Sequence, residues 1–377
     1  MKYIPYGCQW IDESDIQAVV ETLKSDFLTQ GPKIPEFEKA LADYAGVPYA
    51  VVFNSGTAAL HAAMFAIGLK KGDEAITTPN TFCATSNSVL YQNAKPVFCD
   101  INLGTYNIDE TKIKSCVTSK TKAIIPVLFA GRPCDMDEIL KIKKEFGLYV
   151  IEDACHALGA QYKGKKIGSI ADISCFSFHP VKHVATGEGG AALTHSREFY
   201  EKMLQFRTHG ITRQPELLKK NYGPWYYEMQ FLGYNYRLTD IQAALGISQL
   251  KKIDKFIERR GVIARRYFEA FKDVEQIILP QESLPHGSVH AYHLFVIRVK
   301  NDRKDVFLKL RDKNLGVNVH YIPVYSQPFY KKKGFGKYKK SCPCMEKYYE
   351  SCLSLPIYPK MTDEDVEYVI KSVKESV

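Results

Sequence analysis

The sequence has no apolar run of the roughly 20 residues that a membrane-spanning helix needs. Its opening stretch, MKYIPYGCQWIDESD, turns acidic early and contains no leader-like apolar region. Together these absences set the expectation of a cytoplasmic protein with no membrane partner. The ten cysteines are scattered from Cys8 to Cys352, and the nearest group, Cys342, Cys344 and Cys352, lacks a partner at zinc-ligand spacing. Free thiols in a reducing compartment are the expectation. His290 and His293, in HAYH, border an apolar strand with no acidic neighbour, so no metal is expected there either. TGEGG (186–190) lacks the G-x-G-x-x-G spacing of a dinucleotide fingerprint. There is no internal repeat and no low-complexity linker. Net charge is +9, modest for 377 residues, and basic and aromatic residues form no nucleic-acid-binding module. The one basic block, KKKGFGKYKK (331–340), reads as a solvated loop or as a field that attracts an anionic substrate such as a nucleotide diphosphate.

What is present is a globular composition, 45% hydrophobic with 24 Tyr and 20 Phe, enough for a large core. DESDIQAVVETLK (12–24) has acidic residues ahead of helical apolar spacing. IPEFEKALADYAG follows as a helix closed by Gly46. An alternation then begins. YAVVFN (49–54) reads as a strand, and SGTAALHAAMFAIG (55–68) as a helix capped by Ser55 and stopped by Gly68. EAITTP, AKPVFCDI, KAIIPVLFAG (122–131), LYVIEDAC and ADISCFSF are further strands, with a helix over 135–147 between two of them. Strands alternating with helices predict an α/β fold with a mainly parallel sheet. LTDIQAALGISQLKKIDKFIERR (238–260) opens with a capping box, Thr239 to Gln242, and reads as one long helix. A strand over 293–299, a helix over 303–316 and a last helix, DEDVEYVIKSVKES, complete the chain. The expected division is a large domain over 1–254, with the N-terminal segment, and a smaller α+β domain over 255–377.

Ligands of parallel α/β sheets bind at the carboxyl ends of the strands, and three groups fall there. Asn54-Ser55-Gly56-Thr57 joins a strand to a helix, where free backbone N–H groups favour an anion such as phosphate, though a plain helix cap has the same form. Asp153 ends an apolar strand, where an acid is costly unless paired. It is either a cap or a carboxylate for a cationic ring nitrogen. Lys182, in SFHPVKHVATGEGGA, follows one strand later. It is either a solvated lysine or an amine that forms a Schiff base with an aldehyde. Ser177 could reach the same phosphate as Thr57. Taken together, a phosphate cup, a ring-nitrogen acid and an amine are what pyridoxal 5'-phosphate requires. Phe82, in TTPNTFCATSNSVL, is placed to stack on its ring.

With LTQGPKIPEFEKALADYAGV, NSGTAALHAA, TPNTFCAT, EDACHALGA, FSFHPVKHVATGEGGA, GYNYRLTDIQAALG and VHYIPVYSQPFY, the chain resembles the DegT/DnrJ/EryC1/StrS sugar aminotransferases almost end to end. That family has fold type I of the pyridoxal-phosphate enzymes. The resemblance implies that Lys182 bonds the cofactor aldehyde and that Asp153 pairs with the ring nitrogen. It implies that Gly56, Thr57 and Ser177 hold the phosphate, that Phe82 stacks on the ring, and that His156 lies near the ring hydroxyl. Asn235 is expected to reach the phosphate of a neighbouring subunit, which implies a homodimer with shared active sites. Some relatives carry His at the lysine position and are dehydratases; here Lys182 is present, so transamination is expected. YIPYGCQWIDESDIQAVVETLKSDFLTQGP and NVHYIPVYSQPFY look most like the branch of pseudaminic acid biosynthesis. That branch implies L-glutamate as amino donor and a UDP-linked 4-keto-6-deoxy-N-acetylhexosamine as acceptor. Tyr6, Thr29, His320 and Tyr321 are the candidate substrate contacts. A dTDP-amino sugar or GDP-perosamine enzyme is the alternative, and a non-enzymatic cofactor-binding regulator a more distant one.

Overall fold

The computed structural model describes residues 3–377. Seven strands, Tyr49–Phe53, Glu74–Thr77, Lys95–Phe98, Thr121–Ile125, Tyr149–Asp153, Ile173–Ser177 and Gly190–Thr194, form one sheet. Its order is 49–53, 190–194, 173–177, 149–153, 121–125, 74–77, 95–98. Strand 190–194 is antiparallel to both neighbours. The other pairs are parallel. Parallel strands are buried on both faces, so they are built of consecutive apolar residues. Val51, Val52, Ile124, Ile125, Val150 and Ile151 are accordingly buried. One core lies on each face: Ile76, Val150 and Phe176 belong to one, and Val51, Ile151 and Met203 to the other.

A second, antiparallel sheet joins Ile277–Ile278, Phe295–Val299 and Cys352–Leu355. Ile253–Phe271 and Asp363–Lys374 pack with it around Tyr267, Phe271, Ile297, Leu353 and Val369. The strand Ile4–Pro5 pairs in parallel with Leu315–Gly316, and Ile4 is buried in that same core. The segment just before Phe295 is tied to loops that follow strands of the large sheet. The N–H of Ala291 donates to Gly131 O at 2.9 Å, that of Leu294 to Ala130 O at 3.3 Å, and that of Val289 to Gln161 O at 2.8 Å.

Three expectations are corrected. The helix read over 238–260 is two helices, Asp240–Leu250 and Ile253–Phe271. The capping box at Thr239 is formed as expected. The chain turns at Lys251-Lys252, where Lys252 Nζ pairs with Asp15 Oδ2 at 2.6 Å and Asp12 Oδ1 at 2.8 Å. Apolar spacing alone does not register that pull towards the helix Glu13–Leu23. The strand read over 122–131 stops at Ile125, because Pro126 has no N–H for the ladder. The basic block 331–340 is not a loop throughout. It forms short helical turns, Phe335–Lys337 and Tyr338–Ser341, with Phe335 buried against Phe98 and Tyr330.

Candidate active site

At the carboxyl ends of the central strands lies an open cavity of about 560 Å³. Gly56, Thr57, Phe82, Asp153, His156, Ser177, Lys182, Tyr6, His320 and Tyr321 all line it. Thr29 and Asn235 lie outside it. Thr29 is exposed and bridges Thr239, and Asn235 is exposed and bridges Thr208.

The phosphate end comes from the turn into helix Gly56–Ala66. Ser55 caps it through Ala58 N–H at 3.1 Å, leaving the N–H groups of Gly56 and Thr57 at an unpaired helix start. A Cβ at Gly56 would lie 2.9 Å from Ser177 Cβ and 3.3 Å from Cys155 Sγ, so only glycine leaves the cradle open. Gly190 brings strand 190–194 equally close, since a Cβ there would be 2.5 Å from Gly56 N.

The acid end is Asp153, the last residue of strand Tyr149–Asp153. Thr85 Oγ1 donates to its Oδ2 at 2.6 Å, and Cys155 N–H to its Oδ1 at 3.2 Å. The two donors aim the carboxylate, as a partner for a cationic ring nitrogen must be aimed. Phe82 is 59% exposed and faces the cavity, its ring centroid 6.3 Å from that of Tyr321.

Lys182 follows strand Ile173–Ser177 in a turn closed by its N–H on His179 O. Burial lowers its ammonium from 10.5 to about 8, Asp153 opposing the shift and Arg260 adding to it. The neutral, nucleophilic amine is therefore reached at a lower pH than in a free lysine. Four buried imidazoles surround it, those of His156, His183, His293 and His320. Burial pushes all four well below the ordinary histidine range, His320 to about 3, and the charge of Lys182 reinforces this. His156 Nδ1 accepts from Ala130 N–H at 3.3 Å, so the proton sits on Nε2, 3.3 Å from Tyr321 Oη. His183 Nε2 donates to Ala291 O at 2.9 Å. His320 Nδ1 is 2.8 Å from Ser354 Oγ.

These residues suit a ligand with an anionic group, a cationic ring nitrogen and an aldehyde, the three parts of pyridoxal phosphate. Sequence reading misses Thr85, which lies 68 positions from the carboxylate it holds, and Thr81, His179 and Glu188 on the cavity wall. His293, weighed in the sequence only as a metal ligand, places its Nε2 3.4 Å from Lys182 Nζ. The only signal for Thr85 is its place in TPNTFCAT, three residues past Phe82.

The sequence profile of the DegT/DnrJ/EryC1/StrS aminotransferase family matches residues 9–374. The spore coat polysaccharide biosynthesis protein SpsC of Bacillus subtilis is 42% identical over 100% of this chain and 97% of its own. A UDP-4-amino-4,6-dideoxy-N-acetyl-beta-L-altrosamine transaminase of Campylobacter jejuni is 41% identical, covering 97% of this chain and 95% of its own. Among solved structures, Helicobacter pylori PseC, an aminotransferase involved in the biosynthesis of pseudoaminic acid, matches with a TM-score of 0.90. It is 34% identical, covering 100% of this chain and 99% of its own. The PLP form of Spr1654 from Streptococcus pneumoniae matches with a TM-score of 0.91 at 32% identity, over 100% of this chain and 98% of its own.

Proposed function

We propose, from the premise that the chain belongs to the DegT/DnrJ/EryC1/StrS aminotransferase family, that it aminates a UDP-linked 4-keto-6-deoxy-N-acetylhexosamine at C4. The amino donor is L-glutamate and the product UDP-4-amino-4,6-dideoxy-N-acetyl-beta-L-altrosamine. The fold is that of type I pyridoxal-phosphate enzymes, the cofactor is pyridoxal phosphate, and the activity is nucleotide-sugar amino transfer. The observation that carries the reading is one cavity holding the Gly56 cradle, the doubly held Asp153 carboxylate and the half-buried Lys182 amine. The sugar itself rests on the Campylobacter relative and PseC.

Pyridoxal phosphate supplies an aldehyde that carries the amino group and a ring that takes up the electron pair of a broken C–H bond. Gly56, Thr57 and Ser177 would hold its phosphate, Phe82 would cover one ring face, and Asp153 would face the ring nitrogen. Thr85 and the Cys155 N–H keep that carboxylate in register. Lys182 Nζ removes the proton from the α-carbon of glutamate and, in the second half-reaction, delivers one to C4 of the sugar. His156, neutral and with its proton on Nε2, donates a hydrogen bond without adding a second positive charge. Tyr6, His320 and Tyr321 form the wall against which the sugar would lie, opposite Phe82.

The working unit is a homodimer with shared sites, acting in the cytoplasm. Residues 211–236 carry Trp225, Leu232 and Tyr234 on the surface, Trp225 at 71% and Leu232 at 74% exposure. Such a cluster of large apolar side chains is what an obligate subunit contact covers. Asn235 on the same segment would reach the phosphate of the other subunit.

A second reading, amination of a different nucleotide sugar, is favoured by the 42% identity to a spore coat polysaccharide protein. One experiment separates them. UDP-, dTDP- and GDP-linked 4-keto sugars are each offered with glutamate, and cofactor absorbance is followed. Turnover confined to the UDP-N-acetyl ketosugar supports the first reading. Preference for a dTDP or GDP sugar replaces it with the second, and no glutamate-dependent change with any sugar rejects both.

A further inference from the structure

Between its two half-reactions Lys182 is free, and a protonated amine on a flexible four-carbon stem inside a cavity needs an acceptor. Most of the polar groups around it are already engaged. Asp153 is held by Thr85 and the Cys155 N–H. His156 faces Ala130 and Tyr321, His183 donates to Ala291 O, and His320 faces Ser354. The Cys155 thiol and the Tyr321 phenol, both half-buried, are each pushed up by desolvation. The remaining imidazole, His293, places Nε2 3.4 Å from Lys182 Nζ. An ammonium only donates, so Nε2 is the acceptor and the ring proton is on Nδ1. That Nδ1 is buried and has no hydrogen-bond partner among the described residues. A stranded buried N–H is costly, so packing alone does not account for a histidine here.

The backbone behind His293 is fixed by a buried cation. Arg260 on helix Ile253–Phe271 is fully buried and makes no ion pair among the described residues. Its Nη1 donates to Tyr292 O at 3.1 Å, His293 O at 3.3 Å and Ile357 O at 2.9 Å. We propose that His293 is a positioning residue that holds the free amine of Lys182 between half-reactions, with Arg260 fixing the backbone that presents it. The proposal rests on Lys182 being the cofactor lysine. His293 acts as an acceptor that keeps the amine beside the cofactor and partly offsets the burial that disfavours its charge.

The test is trace acetylation of Lys182 with acetic anhydride across pH, read by peptide mass spectrometry. It uses the full-length enzyme loaded with pyridoxamine phosphate, in which the amine is free. His293→Leu removes the acceptor and should move the Lys182 midpoint down by about one pH unit, as loss of one hydrogen bond to a charged group would. His293→Gln, whose amide oxygen reaches the place of Nε2, should restore the midpoint to within about 0.3 units of wild type. His293→Asn is one bond too short and should behave like His293→Leu. If His293→Leu does not fold, the contrast between Gln and Asn decides. Identical midpoints in wild type, Gln and Asn would overturn the proposal. Lys182→Ala is the separate control. If that variant still transaminates, the site reading itself is wrong, whereas a dead Lys182→Ala with an unmoved His293 series removes only the role of His293.

Discussion

Asp153 shows what one carboxylate requires to be useful. It ends a buried strand, and its carboxylate is oriented by a hydroxyl at 2.6 Å and a backbone N–H at 3.2 Å. Replacing Thr85 with Val removes the shorter of these. A hydrogen bond to a charged group is worth about 1.5–3 kcal/mol, so turnover should fall roughly 10- to 100-fold. Steady-state kinetics with glutamate should show the loss in kcat, while the melting temperature changes little. The neighbouring acid behaves differently. Glu152 points to the other face of the strand, is fully buried, and is pushed up to about 7 by that burial, with Ser174 Oγ donating to it. Its folded form therefore binds a proton more tightly than its unfolded form. That contribution is present at pH 4 and is lost as pH rises through about 7. Glu152→Gln should abolish this slope, so the variant gains on wild type by on the order of 2–3 kcal/mol between pH 4 and pH 8. Melting curves across that range check it; a parallel decline in both proteins would refute the assignment. At this scale the sequence yields Lys182, Asp153 and the Gly56 turn, because each is marked by its own neighbours along the chain. Thr85 and His293 are not marked. Their contacts with Asp153 and Lys182 span 68 and 111 positions, which no local pattern encodes.

Local geometry sets the phosphate cradle. Helix Gly56–Ala66 and strand Gly190–Thr194 meet at two glycines, and each leaves room that a methyl group would fill. Gly56→Ala should push the helix start away from Ser177. Overpacking a tight site costs about 1–3 kcal/mol, enough to weaken cofactor retention roughly 5- to 150-fold. Equilibrium titration of the stripped enzyme with pyridoxal phosphate measures this directly. An unchanged dissociation constant would show that the cradle lies elsewhere. The sheet strands and most helices are readable in the sequence, since buried parallel strands and capped amphipathic helices carry strong local signals. The break at Lys251-Lys252 is not readable, because it is set by Asp12 and Asp15, more than 230 positions away.

The whole molecule presents an arm, residues 211–236, that carries Tyr222, Trp225, Met229, Leu232 and Tyr234 exposed while Phe231 and Tyr236 pack on the core. Sequence reading gives only one polar residue of it a role, Asn235, and that through resemblance, because an irregular arm has no periodicity to read. Leu232→Asp places a charge in the proposed subunit contact. Sedimentation velocity should then show monomer where wild type shows dimer, and the monomer should lose cofactor faster on dialysis. A wild type that sediments as a monomer would remove the shared-site arrangement.

The segment 289–294 has a consequence for how a substrate arrives. It is sewn to the connections after the large-sheet strands through Gly131, Ala130, Gln161 and His183, and runs straight into the strand Phe295–Val299 of the other sheet. A hinge at that point would have to unpick all four attachments at once. The cleft is therefore a mould whose width is fixed during folding, and not a jaw that closes on its guest. Selectivity then acts at the doorway, on the shape of what tries to enter, and scattering profiles of the empty and sugar-loaded enzyme should superimpose.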